Sequence, residues 1–170
     1  MRAALYHLVS LAWFFAPAWC ANMAPPFVRY WRGWNRPVSR RWLGSHKTVV
    51  GVLAGVLTGV ATTAVQAHAR VPLAMLADYA EWPWLGLAFG AGAMSGDMLK
   101  SFLKRRLGIP PGARWIPFDQ VDFAIGALVF ASPFATLGFG DAIVLLVLTF
   151  AGAMVLNRIA FRLGIKRDPW

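Results

Sequence analysis

Charge is scarce in this chain. Asp, Glu, Lys and Arg make up 14% of its 170 residues, hydrophobic residues make up 58%, and mean hydropathy is +0.54. A water-soluble domain ordinarily spends about 25% of its residues on those four charged types. The shortfall excludes an ordinary soluble fold and points to lipid as the solvent. Cysteine is nearly absent too. The single Cys20 rules out an intramolecular disulfide and leaves no cysteine-based zinc site. Acidic residues number only seven, so the position of each one is informative.

What is abundant is apolar sequence in long runs. Five stretches stand out, at about residues 3–20, 48–69, 82–99, 118–137 and 141–161. Each approaches the roughly 20 residues that cross a hydrocarbon core about 30 Å thick as a helix. A helix satisfies its own backbone hydrogen bonds, which lipid cannot do. The expected fold class is therefore all-α: a polytopic integral membrane helical bundle of about five transmembrane helices, with residues 1–170 forming one domain. The first stretch also resembles a cleaved signal peptide, with Arg2, an apolar run and Ala-Pro-Ala-Trp-Cys-Ala. It is expected to remain as the first helix.

The Lys and Arg residues set the expected orientation. Apart from Arg2 and Arg70, all of them fall in three segments. The first holds Arg29, Arg32, Arg36, Arg40, Arg41 and Lys47. The second holds Lys100, Lys104, Arg105, Arg106 and Arg114. The third holds Arg158, Arg162, Lys166 and Arg167. Basic residues accumulate in cytoplasmic loops, so these segments are expected inside, with the N-terminus outside and the C-terminus cytoplasmic. The net charge of +10 then reflects topology and anionic headgroups, and nucleic acid is not an expected partner. A homo-oligomer is compatible with the sequence. Pro25, Pro26, Pro110 and Pro111 predict ordered turns in the inner loops. Gly51, Gly55 and Gly59 share one helical face, as do Gly86, Gly90 and Ala93 or Met94, which predicts close helix packing. His68 and His7 fall at outer helix ends, where no chemistry is expected; His46 is ambiguous.

Of the seven acids, Asp78, Glu81 and Asp141 lie on the outer side and Asp168 lies near the C-terminus. Asp97 ends the third apolar stretch on the inner side. Asp119 and Asp122 begin the fourth, three residues apart and so on one helical face. Ionisable groups at membrane depth are functional candidates. Three carboxylates at one level repel unless a cation lies between them, and Mg2+ suits hard oxygen ligands and phosphates. Lys100, Lys104, Arg105 and Arg106 follow Asp97 within about two helical turns. They read either as a positive-inside anchor or as a clamp for a triphosphate. Asp97 likewise reads as a partner for Lys100 or Lys104, and Asp119 as a helix cap. Asn22, Lys47, Thr48 and Asn157 bring polar groups to the same level.

The run Ser-Gly-Asp-Met-Leu-Lys-Ser-Phe-Leu-Lys-Arg-Arg-Leu-Gly-Ile-Pro-Pro-Gly from Ser95 to Gly112, followed by Phe-Asp-Gln-Val-Asp-Phe from Phe118 to Phe123, resembles the CDP-archaeol synthase family. So do Pro17-Ala18 with Ala21-Asn22, Gly44 with Lys47-Thr48 and Gly51, and the ending from Asn157. Ser101, Lys104, Arg105, Asp119 and Asp122 are also similar to the signature of bacterial phosphatidate cytidylyltransferase. The chain departs from the family in two places: residues 36–40 contain no acid, and Val49 and Val50 follow Lys47-Thr48.

The resemblance implies an Mg2+-dependent transfer from CTP to a lipid phosphate, giving a CDP-lipid and pyrophosphate at a cytoplasm-facing site of the inner membrane. Metal ligation is expected from Asp97, Asp119 and Asp122, with Lys104 joining them in catalysis. CTP and lipid phosphate contacts are expected from Asn22, Lys47, Lys100, Ser101, Lys104, Arg105 and Asn157, with Arg41 beside Lys47. An archaetidic acid-like lipid, phosphatidate and a polyprenyl-type phosphate all fit as acceptor. The alternative is a non-catalytic membrane protein that binds anionic lipid or a protein partner.

Overall fold

The computed structural model describes residues 2–28, 35–69, 71–73, 76–110 and 113–164. Arg29, Arg32, Arg70, Pro111, Lys166, Arg167 and Asp168 lie outside them. Among the described residues the chain forms five α-helices and no strand: α1 (Arg2–Val28), α2 (Val49–His68), α3 (Trp82–Arg106), α4 (Phe118–Ala131) and α5 (Phe139–Arg162). Helices α1, α2 and α5 are long and apolar enough to cross a bilayer. Helix α3 carries Asp97, Lys100 and a basic last turn. Helix α4 has only 14 residues, about 21 Å at 1.5 Å per residue.

Several boundaries differ from the sequence expectation. Pro25 and Pro26 do not break the chain into a turn; both lie inside the last turns of α1. Helix α3 runs past residue 99 through Arg106, so Lys100, Ser101, Lys104 and Arg105 sit on a helix and not in a loop. Helix α4 stops at Ala131 and gives way to a 3-10 turn at Ser132–Phe134. Pro133 cannot supply the amide that would extend the α-helix.

The start of α2 follows from local chemistry, since the Thr48 hydroxyl accepts a hydrogen bond from Gly51 N–H at 3.1 Å. At α5 the carboxylate of Asp141 accepts from Gly138 N–H at 3.0 Å. The core gathers Leu11, Phe14 and Phe15 of α1 around Leu85 and Phe89 of α3, all essentially inaccessible. Phe14 and Phe15 meet the Phe89 ring edge-on, at 5.0 and 5.9 Å between centroids. Helix α5 is peripheral: 11% of its apolar window is buried, against 33% for α1.

Glycine lets α3 be clasped on two sides. A Cβ added at Gly59 would lie 2.8 Å from Gly90 Cα, and one at Gly90 would lie 2.7 Å from Val56 Cα, so α2 meets α3 backbone to backbone. This is the contact that the glycine faces predict. On the other side a Cβ at Gly96 would lie 2.2 Å from Asp122 O, and one at Gly126 would lie 2.2 Å from Gly92 O. Small residues at such spacing are how membrane helices approach closely.

The helix ends away from Asp97 are tied by polar contacts. Thr136 N–H donates to Leu76 O at 3.1 Å. His7 Nε2 lies 2.7 Å from Asp141 Oδ1, joining α1 to α5. His68 bonds through Nδ1 to Ala64 O at 2.7 Å, a local helix contact. Tyr79, in the 3-10 turn before α3, packs against the core, and burial pushes its phenol up to about 12.

Overpacking of this kind ordinarily costs about 1–3 kcal/mol. Gly96→Ala is therefore expected to lower the thermal midpoint of the detergent-solubilised protein. Gly152→Ala, where an added Cβ meets nothing within 4 Å, is expected to leave it unchanged. Equal midpoints for the two variants would contradict the close approach of α3 and α4.

Candidate active site

The chain enters α2 through a closed strap. Val38 N–H donates to Lys47 O at 2.8 Å and Val49 N–H donates to Arg36 O at 3.0 Å. Between these paired ends Gly44 turns the chain at φ +84°, a conformation that costs glycine little. Trp42 anchors the strap to α3, its ring 5.7 Å from that of Phe102. The Arg106 guanidinium lies over both rings, at 4.9 and 5.4 Å. The docked strap delivers Lys47 to α3, where its ammonium donates to Asp97 Oδ2.

Asp97 thus meets a residue 50 positions away. Asp119 and Asp122, on the first turns of α4, arrive at the same level because Gly96 admits the α4 backbone. The group that they share is the Lys100 ammonium. It lies 3.2 Å from Asp97 Oδ1, 3.6 Å from Asp119 Oδ1 and 2.7 Å from Asp122 Oδ2. Lys104, with a side chain 8% exposed, donates to Asp119 Oδ1 at 2.9 Å and to Ala113 O. Asp119 does not hold the N-cap position, which Pro117 occupies. Its Oδ2 accepts from Trp115 N–H at 2.5 Å and so fixes the loop leading into α4.

The electrostatics follow from these distances. Oxygens of Asp97 and Asp122 that both touch one ammonium are at most about 6 Å apart, and two like charges there repel by roughly 3 kcal/mol at an effective dielectric of 20. The lysines offset that repulsion. Among the described residues no three His, Cys, Asp or Glu side chains form a metal-ligand group on their own. The acids do meet at one level, and the cation between them is an ammonium. As a donor set they are hard carboxylate oxygens. Asp122, with a side chain 6% exposed, keeps Oδ2 buried without a hydrogen bond of good geometry. Its contact with Lys100 is one of charge. These residues suit a hard divalent cation such as Mg2+.

Two cavities flank the Lys47–Asp97 pair. The smaller, about 170 Å3, is lined by Lys47, Lys100, Ser101, Lys104, Arg105 and Asp119. Ser101 donates to Asp97 O at 2.9 Å and keeps its lone pairs. The larger, about 470 Å3, includes Asn22, Pro25, Asn35, Ser45, Met94 and Asp97. His46 and Lys47 line both. One cavity is therefore cationic, and the other mixes neutral polar and apolar groups.

Two expected residues line neither cavity. Asn157 lines neither cavity, because α5 packs on α4 and meets α1 through His7–Asp141 and a 2.9 Å bond from Trp19 Nε1 to Thr149 Oγ1. Arg41 is exposed and stacks on Trp42 at 5.2 Å. Conversely, Asn35 and Ser45 line the larger cavity without any motif to mark them. The signal available was their place in a strap that carries Gly44 and ends at Lys47-Thr48.

Residues 5–170 match the family described as CarS-like, CDP-archaeol synthase. The CDP-archaeol synthase of Thermococcus kodakarensis is 37% identical over 176 residues, covering 93% of this chain and 94% of that protein. The one from Methanospirillum hungatei is 36% identical over 151 residues, covering 81% and 87%. A solved structure of an intramembrane enzyme for archaeal membrane lipids biosynthesis is similar at a TM-score of 0.73 and 30% identity, covering 86% of this chain and 91% of that one. With a family match over nearly its whole length and relatives well above 30% identity, the chain belongs to the CDP-archaeol synthase family.

Proposed function

We propose that this chain transfers the cytidylyl group of CTP to a lipid phosphate, releasing pyrophosphate and leaving a CDP-lipid in the membrane. The match across residues 5–170 carries this reading. The relatives' name supplies the acceptor class, an archaeol-type lipid phosphate. The whole chain acts as one catalytic unit.

A lipid phosphate oxygen attacks the α-phosphorus of CTP, and the bond from that phosphorus to the bridging oxygen breaks. The electron pair leaves with pyrophosphate. A phosphate monoester is already anionic, so the step needs no strong general base. Lys47, Lys100, Lys104 and Arg105 surround the 170 Å3 cavity, whose charge suits the triphosphate and the growing charge of the leaving group. Lys104 also holds Asp119 and Ala113 together, so it sets the shape of that cavity. Asn22, Asn35, Ser45 and His46, in the larger cavity, offer neutral hydrogen bonds to whatever the phosphate tail carries. Lys47, at the junction, is positioned to neutralise both phosphate groups as they meet. Asp97, Asp119 and Asp122 would hold Mg2+. Bound there, it would neutralise phosphate oxygens as a Lewis acid.

The same reading extends to topology. Five membrane segments, with the N-terminus outside and the C-terminus inside, put this site at the cytoplasmic face of the inner membrane. The support is that all Lys and Arg except Arg2 and Arg70 then fall on the inner side.

Three results are expected. Membranes containing the protein, given labelled CTP and a panel of lipid phosphates, are expected to yield a CDP-lipid by mass spectrometry. No product with any acceptor overturns the reading. Asp97→Asn and Asp122→Asn are expected to lose at least about 100-fold in turnover, since the cation they hold contributes several kcal/mol. Normal turnover removes both from the metal set. In a Cys20→Ser background, a cysteine at Ala113 is expected to resist a membrane-impermeant maleimide applied to intact cells. One at Ala80 is expected to react, and the reverse pattern inverts the topology.

A further inference from the structure

Lys100 differs from the other lysines of the site. Lys47 serves Asp97 and Lys104 serves Asp119, whereas Lys100 touches all three acids. Its ammonium lies closest to Asp122, at 2.7 Å from Oδ2. Its side chain is 15% exposed, and it lines the 170 Å3 cationic cavity. One ammonium therefore stands where three carboxylates meet and also borders the space suited to phosphate.

We propose that Lys100 is a displaceable counter-ion, which takes the place of a divalent cation among Asp97, Asp119 and Asp122 and moves onto the nucleotide phosphates when that cation binds. This rests on the metal reading given under Proposed function. Charge balance drives the exchange. Three acids and three lysines sum to zero, so a divalent cation added beside all three ammoniums leaves two uncompensated positive charges in a poorly solvated place. Withdrawal of Lys100 toward an anionic triphosphate relieves both the excess charge and the steric overlap. Lysine suits this task, because its charge sits at the end of a flexible four-carbon stem with rotatable donors, whereas the arginine fork is planar and rigid. Lys100 already borders the receiving cavity, so the move asks for a change of rotamer and no shift of helix. Without a cation it keeps α3 and α4 from repelling each other at the level of Gly96. Metal and nucleotide then favour each other's binding, because each gives Lys100 a reason to leave or a place to go.

The test measures Mn2+ binding by electron paramagnetic resonance in the detergent-solubilised full-length protein, without nucleotide or lipid. Thermal midpoints in EDTA and in Mg2+ are measured alongside. Lys100→Met is expected to bind Mn2+ about tenfold more tightly than the wild type. It is also expected to melt lower in EDTA and to recover in Mg2+. Lys100→Arg, which keeps the charge, is expected to bind Mn2+ no more tightly than the wild type. If the wild type binds Mn2+, Asp122→Asn does not, and Lys100→Met binds no more tightly than the wild type, the counter-ion role is overturned and the metal site stands. If neither the wild type nor Lys100→Met binds Mn2+, or Asp122→Asn binds it as well as the wild type does, the metal reading fails and this inference fails with it. Should Lys100→Met fold poorly in EDTA, Lys100→Gln purified in Mg2+ supplies the same comparison, and Mn2+ affinity at or below that of the wild type overturns the role.

Discussion

The backbone of α3 is clasped between α2 and α4 at distances that no side chain allows, and the rest of the structure depends on that contact. Gly59 and Gly90 join α2 to α3, while Gly92, Gly96 and Gly126 join α3 to α4. In lipid, helices gain little from burying apolar surface against each other, so close van der Waals packing has to hold them. The same contact sets the depth of every charged group in the site. Gly96 lies next to Asp97, and the carbonyl it faces belongs to Asp122. The glycine that admits α4 thereby brings the α4 acids level with the α3 acid.

Acids brought that close need compensation, and the chain supplies it from three places. Lys47 comes from the strap before α2, while Lys100 and Lys104 come from successive turns of α3. The strap is held by Trp42 against Phe102 and Arg106, so an aromatic contact outside the cavities governs a charge contact inside them. The result is a neutral cluster of three acids and three lysines beside a cationic cavity. A neutral cluster is stable in a region of low dielectric, and the lysines that balance it are also those that suit phosphate. Stability and the proposed chemistry thus share the same side chains.

Much of this was legible in the residues. The i, i+3 spacing of Asp119 and Asp122 put both on one face, and Asp97 before a basic run marked the opposing helix. The glycine faces of α2 and α3 anticipated their packing. What the residues did not reveal was the pairing. Lys104, Arg105 and Arg106 read either as an anchor or as a clamp, and only the extension of α3 through Arg106 separated them: Lys104 turns inward to Asp119, while Arg106 stacks on Trp42. Asn157 has the residue type and the depth for the site, yet α5 is peripheral and keeps it off both cavities. Pro25 and Pro26 suggested a turn, but the end of α1 accommodates them, and Pro25 lines the larger cavity.

The sequence by itself determined the solvent, the helical class, the expected orientation and the set of acids available for chemistry, because these depend on composition and on spacing within single helices. The tertiary structure alone decided that Lys47 meets Asp97 across 50 residues, that Lys100 touches all three acids, and that α5 lines neither cavity. Those outcomes depend on how closely helices approach and which way each is turned. Both are set by contacts between glycine backbones distant in sequence, and no single segment contains that information.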